Sequence, residues 1–519
     1  MKMHGDVLLG IDIGATGIKV GAFDPQGQLV AVAARSNGPR PQTTHDPRPS
    51  WLIWDADEIW GKVCEACREV RATLGDARIR GVATTGFGCD GVPLDARGER
   101  LYPFISWHCG RTRPQREETQ ARLGAARLYQ IAGYHNYAIN TLNRLLWFRQ
   151  ERPDILERAT LWLQMQDYIA FRLSGQAATD ITIASTTMAL DLAERRWSDE
   201  LLRAVDVDPG LFAPLRESGT VVGEITAAAA TQTGLPAGTP VVTGGHDCEI
   251  ATLGSGVNDP ATLVDITGTW EIILALLDRF TPEPAFYDQG LDFECHAVPG
   301  QYICQGLMIA GGVLEWLRAR FYPESFRDGN EGAYEEMFGE ADAWEPGAGG
   351  VFVLPSFMRG MGPAQKYDAR GTCLGLTTVT ERGQLVRATL EGLCFQLRQQ
   401  VAALEVCAGA SRKLSGLRVV GGGQKNPLWV QLKADVTGLP AEVPGVPEIT
   451  LLGAAILAGV GAGVYQDVDD ALATVQIPIV TTEPRPGYTS RYVELYEGVY
   501  QAIAPGLEQA CRGMAAVGL

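Results

Sequence analysis

Short β-branched and apolar runs that end at glycine alternate along this chain with longer stretches of helical periodicity. The segment from Leu8 to Phe23 predicts two strands joined by a glycine-rich turn. From Leu263 to Leu276 the same logic recurs around Thr267, Gly268 and Thr269. One such unit opens each half, which predicts a duplicated fold facing a shared cleft. Ile79 to Thr85 and Val241 to Thr243 read as further strands. The second stops at Gly244 and Gly245 and leads into a small-residue helix start from Cys248 to Leu253. Helical patterns cover Asp57 to Leu74, Arg113 to Leu128, Thr141 to Glu151 and Asp167 to Leu173. Later, Leu417 to Val420 is a strand ending in Gly421, Gly422 and Gly423, followed by an amphipathic helix through Ala434. Glu448 to Ala458 is an apolar helix with small residues for close packing. The turn-rich run from Gly254 to Pro260 marks the boundary between domains at 1–256 and 257–519.

Composition narrows the function. At 519 residues and 46% hydrophobic, the chain can bury large cores and should divide into at least two domains. A formal net charge of −17 argues against nucleic-acid partners, which need a basic face. An anionic substrate would need a metal ion, backbone amides or a few local cations. No apolar stretch of about eighteen residues predicts a membrane span, and no signal-peptide core precedes the first strand. The 11 cysteines lack a framework spacing, which suits reduced thiols in a cytosol. Cys295 and His296 are adjacent, a poor spacing for chelation, so a zinc site is not expected.

Candidate chemistry gathers where strands end. Asp247 sits at a strand-to-helix corner, where a carboxylate is either a helix N-cap or an exposed general base. A helix N-terminus favours its ionised form in either role. Asp12 ends the first strand, placed to hold magnesium through water. Gly14 and Gly17 let amides approach an anion, and Thr16 and Lys19 can donate to phosphate oxygens. A plain hairpin would show the same glycines. The spacing fits neither a Walker A loop nor a dinucleotide fingerprint. Asp90 lies among small residues after a strand, as a ligand for substrate or an ordinary turn carboxylate. Trp107 offers an apolar face for sugar carbons or for the core, and Arg111 offers a donor fork. The triple-glycine loop with Gly422 and Gly423 would let a flat nucleotide lie on backbone, with Asn426 fixing its polar edge.

Taken in order, these landmarks resemble the FGGY family of carbohydrate kinases from about Val7 to Tyr465. The matches are Asp12-x-Gly14-x-Thr16, Gly245-x-Asp247, Thr267-Gly268-Thr269 and the run from Gly421 to Asn426. Two family signatures fit Asn140 to Trp147 and Gly371 to Gly392, with Arg144 in place of the usual Lys and Cys373 in place of a larger apolar residue. Neither departure is expected to touch the chemistry. The resemblance implies an α/β protein with two actin-like, ribonuclease-H-like domains flanking a catalytic cleft. It further implies ATP and Mg2+ as cofactors and a ketose as the small-molecule substrate. Asp247 would be the catalytic base, with Asp90, Trp107, Arg111 and His246 around the sugar and Asp12 at the metal. Gly14, Thr16, Lys19, Gly268, Thr269, Gly312, Gly422, Gly423 and Asn426 would line the nucleotide. The first domain would bind sugar and carry the chemistry, and the second would bind nucleotide. The sugar loops rank L-fuculose first, D-xylulose second and L-rhamnulose third. An actin- or chaperone-type ATPase shares the duplicated fold and is the alternative of a different class. A homodimer is left open.

Overall fold

In the computed structural model, which describes residues 5–45, 47–323, 332–357, 370–409 and 413–517, both glycine-turn units are hairpins. Strands β1 (Asp6–Ile13), β2 (Gly17–Phe23) and β3 (Leu29–Ser36) run antiparallel. Then β4 (Arg78–Gly86) joins β1 in parallel and β6 (Pro240–His246) joins β4 in parallel, with β5 (Val221–Glu224) antiparallel at the edge. Strand β1 is almost continuously apolar because helices cover both faces of its sheet. On one face lies helix α1 (Ala56–Leu74), started by Asp55, whose side chain accepts from the Asp57 and Glu58 amides.

The second sheet repeats this connectivity. Strands β7 (Thr262–Thr267), β8 (Trp270–Leu277) and β10 (Tyr302–Ile309) are antiparallel neighbours. Strands β11 (Gly416–Val420) and β12 (Ala441–Pro444) extend the sheet in parallel from β7, and β13 (Ile479–Thr482) closes it antiparallel. One strand has no counterpart in the first sheet: β9 (Leu291–Cys295), added outside β10. The duplicated α/β architecture predicted from the two glycine-turn units is therefore present as strand order and not only as sequence pattern.

Helices α2 (Asp247–Gly254) and α5 (Ile449–Gly461) follow equivalent strands of the two sheets, and they cross each other. A Cβ on Gly453 would lie 1.9 Å from the Ile250 carbonyl, and one on Gly254 would lie 2.0 Å from that of Ile449. Only glycine lets the two backbones meet in this way. Helix α5 also packs directly on β1 and β4, where a Cβ on Gly10 would lie 2.5 Å from the Leu451 carbonyl. A helix from the second half of the chain thus covers the sheet of the first half. One expected element is divided: Arg113–Leu123 and Ala125–Ala132 are two helices, broken at Gly124 with φ 80°. Among the described residues no helix is long and apolar enough to cross a membrane.

Candidate active site

The ends of three parallel strands bring the acids together. Asp12 on β1 is in register with Thr85 on β4, and Thr85 with Gly245 on β6, so Asp12 and Asp247 face one mouth of the sheet. Gly245 has φ 111°, and a Cβ there would lie 2.3 Å from the Thr182 hydroxyl oxygen. That hydroxyl accepts from the His246 amide at 2.8 Å and donates to Asp180 at 2.7 Å, which fixes the corner. The N-cap position of α2 belongs to His246, not Asp247. Asp247 is instead half-buried in the first turn, with the Cys248 thiol 3.3 Å and His246 Nε2 3.5 Å from its Oδ1. A first-turn carboxylate relieved of capping keeps oxygens for a substrate.

Asp12 has a buried Oδ1 with no hydrogen-bond partner. Burial, then the charges of Asp247 and Glu448, push its carboxyl up to about 8, against the pull of Lys19. An unsatisfied carboxylate oxygen beside a second carboxylate fits a hard divalent cation, which would take the place of the proton. Lys19 itself donates to Glu448 at 2.6 Å, and Glu448 stands before α5 with φ 58°. The lysine expected at the phosphates therefore holds an ion pair between the halves. Gly14 donates its amide to the Gly17 carbonyl at 2.9 Å within the turn, while Thr16 is exposed at its tip.

Asp90, Trp107 and Arg111, expected around the sugar, are not all arranged for that role. Asp90 is fully buried: Oδ2 accepts from Trp54 Nε1 and from the Trp107 amide, and Oδ1 lies 2.6 Å from Arg144. Its carboxylate has its partners inside the protein, so it shapes the loop and seats Trp107. Cys89, at φ 70°, gives its carbonyl to Thr141 and Arg144. Arg144, in place of the family's usual Lys, therefore contacts both the Cys89 carbonyl and Asp90. Trp107 is half-buried and stacks on His108 with centroids 3.6 Å apart. Arg111 does not join the corner. It is buried over the Trp51 ring at 4.1 Å and donates to Gln42 at 2.9 Å, so its fork is spent on the core.

In the second half, Gly268 and Thr269 are exposed at the tip of the β7–β8 hairpin. Their carbonyls accept from the Gly311 and Gly312 amides at 3.0 and 3.1 Å. Gly312 therefore supports the hairpin from the start of α3 (Gly311–Phe321), and its amide is already engaged. Gly421, at φ 88°, and Gly423 pack against Thr267, where a Cβ on Gly423 would lie 2.4 Å from the threonine methyl. Gly422 is exposed between them. Asn426 caps α4 (Pro427–Thr437) by accepting from the Trp429 amide at 3.3 Å, which leaves its buried Nδ2 without a partner. Beneath the hairpin, buried Lys433 donates to Asp265, Thr267 and Glu271, a network that sequence reasoning missed.

His246 has a partner that was also not foreseen. Its Nδ1 lies 2.8 Å from Glu294 on β9, and Glu294 further accepts from Tyr134 at 2.9 Å and Gln305 at 2.6 Å. Burial opposes a charged ring, but Glu294 and Asp247 outweigh it and raise the His246 pKa to about 9.

Two sheets of one topology, with paired acids at the strand ends of one and glycine loops at the strand ends of the other, define a phosphotransferase of the duplicated α/β type. Residues 7–254 match the N-terminal domain of the FGGY family of carbohydrate kinases, and residues 263–462 match its C-terminal domain. The chain is 33% identical to L-fuculokinase of Escherichia coli strain K12, over 91% of this chain and 96% of that one. It is 30% identical to the autoinducer-2 kinase of Enterobacter sp. strain 638, over 95% and 92%. The crystal structure of xylulose kinase from Rhodospirillum rubrum superposes with a TM-score of 0.85 at 27% identity, over 98% of this chain and 100% of that one. The chain belongs to the FGGY family of carbohydrate kinases. It is a kinase acting on a small-molecule sugar.

Proposed function

We propose that this kinase transfers the γ-phosphoryl group of ATP to the C1 hydroxyl of L-fuculose, giving L-fuculose 1-phosphate. The observation that carries the chemistry is Asp247, free of any capping duty beside the unpartnered oxygen of Asp12. Phosphoryl transfer passes through a loose transition state, so positioning and charge stabilisation matter more than proton removal. Asp247 orients the hydroxyl and accepts its proton as the bond to phosphorus forms. His246 presents a charged N–H beside it, and Trp107 offers its ring face to the sugar carbons. Asp12 would hold magnesium, directly or through water; when bound, the ion neutralises phosphate oxygens. The tips of the two hairpins, at Thr16 and at Gly268 and Thr269, supply donors to the phosphates. Gly422, Gly423 and the free Nδ2 of Asn426 receive the nucleotide base and ribose. We assign the sugar and the chemistry to residues 1–256 and the nucleotide to 257–519, apart from α5, which belongs structurally to the first sheet.

L-Fuculose is preferred because the relatives named L-fuculokinase reach 33% identity over nearly their whole length. Autoinducer-2 is the second reading, on relatives of that activity at 30–31% identity. ADP release from purified protein, ATP and Mg2+ should be measured on L-fuculose, D-xylulose, L-rhamnulose, D-ribulose and autoinducer-2. L-Fuculose should exceed D-xylulose in kcat/KM by at least about tenfold, the low end for one methyl contact. A higher kcat/KM on another of these substrates overturns the sugar assignment. ADP release that none of these substrates increases would show that the acceptor lies outside this panel.

A further inference from the structure

Along β9 and just past it, Asp292, Glu294 and His296 alternate with Phe293 and Cys295. With a period of two, these three polar side chains leave one face of the strand. Each meets a partner of opposite kind from the first half of the chain. Asp292 lies 2.7 Å from His135, Glu294 lies 2.8 Å from His246, and His296 lies 2.8 Å from Glu249. All six residues are buried. The second half thus docks on the first through a row of three acid–histidine pairs, made by the one strand that the first sheet lacks.

The middle pair differs from its neighbours in what lies beyond it. His246 is held at two points, its amide by Thr182 at 2.8 Å and its Nδ1 by Glu294 at 2.8 Å, and its Nε2 then lies 3.5 Å from Asp247. Glu294 is itself fixed through its other oxygen by Tyr134 and Gln305. The ring therefore has one orientation, and that orientation leaves Nε2 within ion-pair distance of the Asp247 carboxylate. By contrast, Asp292 spends its oxygens on His135 and Tyr137, away from the corner.

We propose that Glu294 is a positioning residue for phosphoryl transfer, acting through His246 to hold the Asp247 carboxylate toward the sugar hydroxyl. This rests on Asp247 as the base. It makes a site assigned to the first half of the chain depend on a side chain of the second, so Asp247 is aligned only where β9 is docked.

The test compares Glu294→Gln, Glu294→Ala, Asp292→Asn, Asp247→Asn and the double variant Asp247→Asn/Glu294→Gln in steady-state kinetics on L-fuculose and ATP. Glutamine keeps the shape and an acceptor but not the charge. Glu294→Gln should lower kcat by at least about tenfold, the low end for a hydrogen bond to a charged group. Alanine should lower it further, and both should leave the KM for ATP within about twofold, since nucleotide contacts lie elsewhere. Asp292→Asn removes an equivalent pair from the same seam and should lower Tm while kcat stays near wild type. The double variant should be no slower than Asp247→Asn alone, because Glu294 then has nothing left to position. Equal losses of kcat in Glu294→Gln and Asp292→Asn would reduce the row to a structural seam and overturn the proposal, as would multiplying losses in the double variant. Near-native turnover in Asp247→Asn would overturn the base assignment instead, whatever Glu294→Gln does.

Discussion

Arg144 and Asp90 form a buried ion pair, 2.6 Å apart, beneath the loop that carries Phe87 and Cys89. The same guanidinium donates to the Cys89 carbonyl at 2.6 Å, so one side chain clamps both the acid and the backbone of the loop. Lysine has one nitrogen and cannot serve both sites in the same way. Arg144→Lys should therefore fold, raise the ketose KM severalfold, and leave the KM for ATP nearly unchanged. Asp90→Ala should also raise the ketose KM strongly, by loosening Trp107 and the loop. It should cost roughly 3–5 kcal/mol of stability as well, because it leaves Arg144 charged and buried without its partner. A ketose KM unchanged in both variants would show that the loop does not face the sugar.

Asp247→Asn keeps the shape of the side chain but cannot accept a proton. Turnover should fall by about 10²–10⁴-fold, the usual loss with a general base, while ATP affinity stays within a few fold. Since His246 holds the N-cap position, this loss cannot be assigned to a frayed helix. A variant with near-native kcat and an intact fold would remove Asp247 from the chemistry.

Stability should decline in alkali for a reason located at His246. Folding raises its pKa from 6.5 to about 9, because Glu294 and Asp247 outweigh the burial that opposes charge. The folded state holds this proton more tightly than the unfolded chain. Its contribution is complete below about pH 6.5 and is lost as pH rises through about 9, roughly 3 kcal/mol over the window. Thermal melts from pH 6 to 9.5 should show this fall in the wild type. In Glu294→Gln the ring loses its main partner, and that part of the fall should vanish. Parallel curves for the two proteins would refute the assignment.

We expect the halves to close on substrates, with the Gly254–Pro260 segment absorbing the change. The crossing of α2 and α5 and the row of pairs along β9 both tie the two halves together. Opening should therefore be concentrated at the mouth between the two hairpin tips. Small-angle scattering with and without ketose plus a non-hydrolysable ATP analogue would measure it. An unchanged radius of gyration and unchanged distances between hairpin tips in crystals would argue against closure.

Local pattern carried the frame of this molecule a long way. The two strand–glycine–strand units, the strand through Val241 and the triple-glycine loop are set by neighbours in sequence and legible there, although that strand runs on through Gly244 and Gly245 to His246 instead of stopping at the glycines. What could not be read depends on partners far along the chain. Arg111 looked like a free fork because nothing nearby in sequence announces Trp51 or Gln42. Lys19 looked available because Glu448 lies in the other half. Glu294 left a faint trace in the alternation from Asp292 to His296, visible only once the adjacency of Cys295 and His296 is no longer weighed as a metal motif. The continuous burial of α5 was visible as an apolar run, but its destination on β1 and β4 was not.

That destination bears on how the protein is made. The ribosome releases β1, β4 and β6 early, yet the helix that covers them, α5, emerges only after most of the second sheet has been synthesised. Until then Leu8, Ala83 and Val242 have no permanent cover on that side. Contacts of such long sequence separation form slowly, and the half-made chain must carry an exposed apolar surface in the meantime. A nascent chain stalled before Ile449 should therefore bind holding chaperones and yield to protease, whereas one extended past Gly461 should resist.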